Sequence, residues 1–180
     1  MYKITEQGRS MIEMLGVLAI IGVLSIGGLQ VVSRMQYEHK ATQLVNDFSE
    51  TVTKLQKSIG QMDSGYENIS VFAYKNNLYS TNWVPNQKNN IIIYTGLLSS
   101  TYKLSGSSDA PHYTVYAMKV DDNICIRLAM QEFPNIYVVN VNDQAVRNSK
   151  IKLSLKNVTD KCNKGSDNTV SFYFKNPYNS

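Results

Sequence analysis

Few side chains in this sequence have types and spacings that could do chemistry, and none of them forms a recognisable catalytic set. The most unusual is Glu13, a carboxylate beside an uncharged run that extends from Met14 to Ser33. The two histidines, His39 and His112, have no nucleophile or acid at a recognisable spacing. Phosphate-binding loops, dinucleotide-binding glycines and paired acids are absent from the sequence. The sequence therefore predicts neither an enzyme nor a cofactor, and the chemistry to explain is one acid at the edge of an apolar segment.

Metal and nucleic-acid binding are also not indicated. Asp121, Asp122 and Asp160 have the chemistry of calcium ligands, but isolated aspartates of this kind are usually turn residues. Cys125 and Cys162 lack a CxxC spacing and a nearby histidine pair, which argues against zinc. The formal net charge is +4 and the basic residues are scattered, so nucleic acid is not expected as the main partner.

The uncharged run is long enough to cross a bilayer, because about 20 helical residues span about 30 Å. A secretory signal peptide has a shorter apolar core, and no convincing A-x-A cleavage site follows this run. A buried helix of a globular domain is rarely this long and apolar on all faces. We therefore predict a membrane-inserted helix. Its orientation stays open, since basic residues flank it on both sides.

Small residues recur at every third position of this run: Gly16, Ala19, Gly22, Ser25 and Gly28. A period of three lags behind the 3.6 residues of a helical turn, so the strip winds around the helix. Small residues allow helices to approach closely in lipid. The strip predicts packing against several neighbouring helices. The alternative is that glycine is simply tolerated in a membrane helix.

Beyond Arg34 the helical pattern continues as an apolar stripe on one face. Its members are Leu44, Phe48, Val52, Leu55 and Ile59, widened by Val45, and the other positions, among them Asp47, are largely polar. Residues 9–60 contain no proline, and Gly60 is a suitable C-terminal stop. The sequence thus predicts one helix over 9–60. Its first half, 9–33, is apolar on all faces, and its second half, 34–60, is amphipathic and needs a surface to pack on.

The remainder of the chain, 61–180, is predicted to form a β-rich globular head. Short runs rich in β-branched and aromatic residues occur at 90–96, 113–120, 123–130, 136–141, 151–157 and 169–175, with turn residues between them. Residues 120–123 are expected to form a tight hairpin, and 61–90 are too irregular to assign. One face of an antiparallel sheet can cover the helical stripe. The predicted fold class is α+β, with a long N-terminal helix packed on a C-terminal antiparallel sheet.

The two cysteines are expected to pair if the head lies outside the cytosol. Cys125 is predicted to lie in a strand and Cys162 in a late loop. Closing a loop of about 38 residues would stabilise the head by roughly 4 kcal/mol on a chain-entropy estimate. Two buried free thiols are the alternative.

The N-terminal sequence resembles the type IV prepilin signature. That family has a short hydrophilic leader ending in glycine, a cleavage site after it, and a hydrophobic helix with glutamate at the fifth mature position. Here the leader is 1–8, the cut falls between Gly8 and Arg9, and the glutamate is Glu13 in the run "MIEMLGVLAIIGVLS". The chain differs from the family in two places. The first mature residue is Arg9 instead of Phe or Met, which bears on N-methylation and on the peptidase, and Gln30 replaces a frequent proline.

The resemblance implies a role for Glu13 in filament assembly. An acid in a membrane helix is costly, and cleavage before Arg9 would free an α-amino group that is largely positive at pH 7. The family's glutamate guides assembly by pairing with that amine on a neighbouring subunit. Two local interpretations stay open, because Ser10 and Glu13 form a capping box and Arg9 lies four residues before Glu13.

The expected function is therefore that of a structural subunit of a type IV pilus-like extracellular filament. The subunit would enter the inner membrane as a prepilin with its head outside the cytoplasm, be cut by a prepilin peptidase, and polymerise with itself through the inner-membrane assembly machinery. A minor pilin or a type II secretion pseudopilin is the alternative within this class. A membrane-tethered adhesin or binding domain that never polymerises is the alternative outside it.

Overall fold

The computed structural model describes residues 7–59, 66–88, 91–106 and 112–175, and within the first helix it describes the side chains at 14–18 and 30–59. The helices are α1 (Gln7–Ser58), α2 (Ile69–Lys75), α3 (Asp122–Ala129) and α4 (Leu155–Lys161). The strands are β1 (Val84–Lys88), β2 (Ile91–Thr95), β3 (Thr101–Gly106), β4 (His112–Val120), β5 (Ile136–Val141), β6 (Gln144–Arg147) and β7 (Asn168–Lys175).

The chain divides into two compact units, Met1–His39 and Lys40–Ser180. In the first unit the described apolar side chains are largely exposed. Met14, Leu15, Val17 and Leu18 are between 56% and 69% exposed. Among the described residues, no helix meets the length and hydropathy expected of a bilayer-spanning segment.

The second unit contains the end of α1, and here the predicted apolar stripe is confirmed. Leu44, Phe48, Val52, Leu55 and Ile59 are all at most 4% exposed. The predicted helix over 9–60 agrees with α1 to within two residues at each end. The predicted stop, Gly60, lies outside the described residues.

The stripe packs on a seven-stranded sheet with the order β1-β2-β3-β4-β7-β5-β6, in which all pairings are antiparallel. Phe48 of α1 places its ring 5.0 Å from Phe172 of β7 and 6.0 Å from Tyr102 of β3. Side chains alternate between the faces of a strand, and the inner-face residues Val115 and Val139 are fully buried. One face of the sheet therefore covers the helix, which confirms the predicted α+β class.

Two predicted strands are wrong and form helices instead. Residues 123–130 lie almost entirely in α3, and the predicted hairpin at 120–123 is the junction between β4 and that helix. Asp121 is the N-cap, and its Oδ1 accepts a hydrogen bond of 2.9 Å from the amide of Ile124. The predicted strand at 151–157 is replaced by an irregular stretch and the start of α4, where the side chain of Ser154 accepts from the amide of Asn157.

Several elements of the head were not predicted. They are the helix α2 and the strands β1, β3 and β6. Helix α2 packs on β2 and β3 and buries Ile69 and Ala73. Tyr66, three residues before α2, approaches β3 so closely that a Cβ added to Gly106 would lie 2.4 Å from its carbonyl oxygen. The polar stretch at 61–90 thus contains a helix and an edge strand.

Candidate functional site

The predicted cleavage and assembly residues lie in the first turns of α1. The helix begins at Gln7, so Gly8, Arg9 and Glu13 are all within it. The structure does not describe their side chains, and the pairing of Glu13 stays a prediction.

The predicted small-residue strip lies along the same helix. A Cβ added to Gly16 would meet no atom within 4 Å. The contacts of Ala19, Gly22, Ser25 and Gly28 lie outside the described side chains. Open space beside Gly16 leaves room for a neighbouring helix at this point of the strip.

A buried carboxylate fixes the head to the second half of α1. Asp47 is 5% exposed, and its Oδ1 accepts hydrogen bonds from Ser80 Oγ at 3.0 Å and from Asn82 Nδ2 at 2.8 Å. One turn later, Thr51 Oγ1 accepts from the backbone amide of Ser80 at 2.9 Å. The sequence interpretation that Asp47 belongs to the polar face is wrong, because it lies at the edge of the stripe, three residues after Leu44. Buried carboxylates need such donors.

Aromatic residues lie close to Asp47 and its hydrogen-bond partners. Trp83 stacks on Tyr102 with ring centres 3.9 Å apart, and the Tyr102 hydroxyl accepts from Ser100 Oγ at 2.9 Å. Burial raises the pKa of Tyr102, and the nearby charge of Asp47 raises it further, while the hydrogen bond with Ser100 lowers it. The Tyr102 hydroxyl thus stays neutral in this largely aromatic environment.

The two cysteines are joined in a disulfide with Cα atoms 5.8 Å apart. Cys125 lies in α3 and not in the predicted strand, and Cys162 directly follows α4. The disulfide therefore links two short helices that pack on each other.

Asn168, which is fully buried, completes this end of the head. Its Nδ2 donates to Asp122 Oδ1 at 2.7 Å and to the carbonyl of Gly165 at 3.0 Å. Its Oδ1 accepts from Asn142 Nδ2 at 2.9 Å. Asp121 and Asp122 thus cap and brace the fold. Across the described part of the chain, no three histidine, cysteine or acidic side chains are grouped so as to hold a metal ion.

Residues 39–175, more than half of the chain, match the protein family described as PilS N terminal. The chain belongs to this family, and it is a type IV pilin-like protein. No curated protein matches the chain. Among solved structures it is similar to the type IV b pilin from Salmonella typhi, with 9% sequence identity and a TM-score of 0.58. The match covers 73% of this chain and 97% of that one, and at this identity it shows the pilin fold alone.

The family match and the prepilin-like signature fall on different parts of this PilS-family chain. The match begins at residue 39, whereas Gly8, Arg9 and Glu13 all precede it. The family therefore identifies the head and the amphipathic half of α1 without using the N-terminal motif. The chain is a pilin-like structural subunit, and its fold and family are structural and not enzymatic.

Proposed function

We propose that this chain is the subunit of a type IV pilus-like extracellular filament. It is made as a prepilin anchored in the inner membrane, cut between Gly8 and Arg9 by a prepilin peptidase, and polymerised with itself by the inner-membrane assembly machinery. The observation that carries the proposal is a single helix of 52 residues with two different surfaces. Its end is buried in a pilin-like head, and its beginning carries exposed apolar side chains.

The exposed apolar surface of α1 needs a partner. At 100° per residue, Met14, Leu15, Val17 and Leu18 point in several directions around the helix, and all are more than half exposed. Val31, Val32 and Met35 are also at least half exposed. Leaving such side chains in water forfeits about 25 cal/mol for each Å² of apolar surface. Lipid in the prepilin, and neighbouring helices in the filament, would both cover them.

Cleavage before Arg9 supplies a positive charge with which the Glu13 carboxylate can pair. The new α-amino group of one subunit would pair with the Glu13 carboxylate of the next as their helices pack side by side. A subunit in the wrong axial position would leave its acid unpaired in an apolar environment, which is costly. The pair would therefore select the register of the growing filament.

The head is suited to being carried on this helix. Asp47 and Thr51 bond Ser80, and Phe48 packs into the sheet, so the head is attached along several turns of α1. A filament built from α1 would then display the heads that its helices carry. Its local role, in adhesion, motility, DNA uptake, conjugation or secretion, is a separate question.

Two measurements test the proposal. Mass spectrometry of native filaments is expected to find Arg9 at the N-terminus, with or without a methyl group. Electron microscopy is expected to show filaments for the wild type and none for Glu13→Ala, while Glu50→Ala, which removes an exposed acid of the same helix, assembles normally. Normal filaments from Glu13→Ala would reduce Glu13 to a helix cap.

Other outcomes separate the alternatives. An uncut chain that never leaves the membrane would favour the tethered adhesin. Quantitative mass spectrometry of purified filaments distinguishes a major pilin from a minor pilin or pseudopilin. A major pilin dominates the filament mass, whereas a minor pilin or pseudopilin is a trace component.

A further inference from the structure

The sheet face opposite to α1 carries aromatic residues for which the filament proposal has no use. We call this the outer face, and His112 and Tyr116 on β4, Tyr137 on β5 and Tyr173 on β7 form its outer aromatic cluster. All four side chains are partly exposed. Their neighbours along the strands, such as Tyr113 and Phe172, are buried on the inner face. The cluster is therefore not part of the core.

Three rings of the cluster, those of His112, Tyr137 and Tyr173, lie within contact distance of one another and meet at steep angles. His112 is 5.6 Å from Tyr137 with an interplanar angle of 66°, and Tyr137 is 6.3 Å from Tyr173 at 73°. The Tyr173 hydroxyl is hydrogen-bonded with Tyr116 and with the amide of Asn140. The surface thus consists of ring edges and short ring faces with hydroxyl groups between them.

One polar atom beside the cluster lacks a partner within the described structure. Oδ1 of Asn140 on β5 is buried without a hydrogen bond. Asn140 pairs across the sheet with Ser171, the strand neighbour of the cluster. This acceptor is therefore unmet, and such a group is costly until a donor pairs with it.

The charge around the cluster is positive. Lys175 lies directly opposite His112, and its Nζ is 5.7 Å from the centre of the Tyr137 ring. Lys103 lies directly opposite Tyr116 on the next strand. Lys175 and Lys103 are thus two cations beside the cluster, where the carboxylate of Asp143 acts on Tyr173. The charge complementary to this surface is that of an anion.

We infer that the outer aromatic cluster is a binding site for a saccharide that carries a carboxylate. The C–H faces of a sugar ring pack on tyrosine rings, and its hydroxyls supply the donors and acceptors that Asn140 and the tyrosine hydroxyls can use. The carboxylate pairs with Lys175, whose Nζ lies over the Tyr137 ring.

Single-stranded nucleic acid fits the cluster less well. Bases stack on ring faces along a continuous basic groove. Here the rings meet nearly edge to face, and the cations belong to separate strands with Asp143 close by. A sugar ring does not require a flat aromatic platform, so the geometry favours the saccharide.

The inference is tested by titrating the full chain in detergent micelles with 3′-sialyllactose and, as the uncharged match, with lactose. Saturation-transfer NMR is expected to mark the sialic acid protons, and lactose is expected to bind at least about tenfold more weakly, as the loss of one charged contact implies. Tyr137→Ala should weaken sialyllactose binding by about tenfold. Lys175→Gln should narrow the difference in affinity between the two sugars.

Matched controls make the result specific. Tyr74→Ala removes an exposed tyrosine on α2, and Lys57→Gln removes an exposed cation on α1; neither should change binding. Circular dichroism checks that each variant is folded. Equal affinity for lactose and sialyllactose, no saturation at millimolar sugar, or tighter binding of an oligothymidine that competes for the site would each overturn the inference. Because the site belongs to the head, sugar binding can be absent while the chain still forms filaments, and it can be present in a chain that does not form them.

Discussion

The carboxylate of Asp47 on α1 and the hydroxyl of Ser80, which follows α2, form a buried hydrogen bond of 3.0 Å across 33 residues of sequence. Asn82 donates to the same oxygen, and Thr51 holds the Ser80 amide. This contact ties the helix that would build a filament to the edge of the sheet that begins with β1. Asp47 is the only acid among the buried polar residues of the described chain.

Replacing this acid should destabilise the head. Asp47→Ala leaves Ser80 and Asn82 without an acceptor, and we expect a loss of about 2 kcal/mol in the free energy of unfolding. Asp47→Asn keeps one oxygen acceptor and should lose less. Urea unfolding followed by circular dichroism measures both. Glu50→Ala, which removes the exposed partner of Lys54, is the control and should change stability by less than about 0.5 kcal/mol. Equal effects of Asp47→Ala and Glu50→Ala would contradict the anchoring role.

The apolar stripe on α1 was predictable from the sequence, and the buried contact of Asp47 with Ser80 was not, for a physical reason. The helical spacing of Leu44, Phe48 and Leu55 predicts that they are buried, and this spacing is a property of the local sequence. Asp47 looks like any polar helix residue until Ser80 is brought to it by the fold. When the burial of a residue depends on a partner distant in the sequence, the neighbouring residues do not predict it.

The error at α3 has a different origin. "NICIRLAM" is short and rich in apolar residues, and such runs do not distinguish a strand from a short buried helix. The deciding signal was Asp121, an N-cap residue directly before the run. Aspartate favours turns as well as N-caps, so its presence alone predicts a hairpin equally well. The outer aromatic cluster was equally invisible, because its members come from three strands and meet only when those strands pair.

The disulfide should contribute a large part of the stability of the head. Cys125 and Cys162 are 37 residues apart, and the chain-entropy estimate for a loop of this size is roughly 4 kcal/mol. The double variant Cys125→Ser/Cys162→Ser should therefore unfold at markedly lower urea concentration than the wild type. Reduction of the wild type with dithiothreitol should produce a similar shift. If neither treatment moves the midpoint, the hydrogen bonds of Asn168 hold this end of the head without the disulfide.

Buried tyrosines should limit stability in alkali. Burial raises the pKa of Tyr94, Tyr102 and Tyr113 above the ordinary value of about 10. Because the folded state holds these protons more tightly than the unfolded chain, the stabilisation is complete below pH of about 10 and is lost as the pH rises further. Ultraviolet titration should show exposed tyrosines ionising first and the buried ones only as the protein unfolds. Ionisation of every tyrosine near pH 10 with the fold intact would contradict this.

The contact between β3 and Tyr66, three residues before α2, should tolerate no side chain at Gly106. A Cβ there would lie 2.3 Å from the Cβ of Tyr66 and 2.4 Å from its carbonyl oxygen. Because that carbonyl accepts from the amide of Ile69, the start of α2 would have to move with it. We expect Gly106→Ala to cost about 1–3 kcal/mol, the usual range for overpacking, and to expose Tyr66, whose burial raises its pKa. Gly16→Ala is the matched control, because a Cβ at Gly16 meets nothing within 4 Å. The control should unfold like the wild type and should ionise Tyr66 no earlier. Since the same substitution adds bulk to the small-residue strip, a Gly16→Ala chain with an intact head but impaired filaments would locate its defect between subunits. Unchanged urea midpoints for both variants would show that α2 can shift at little cost.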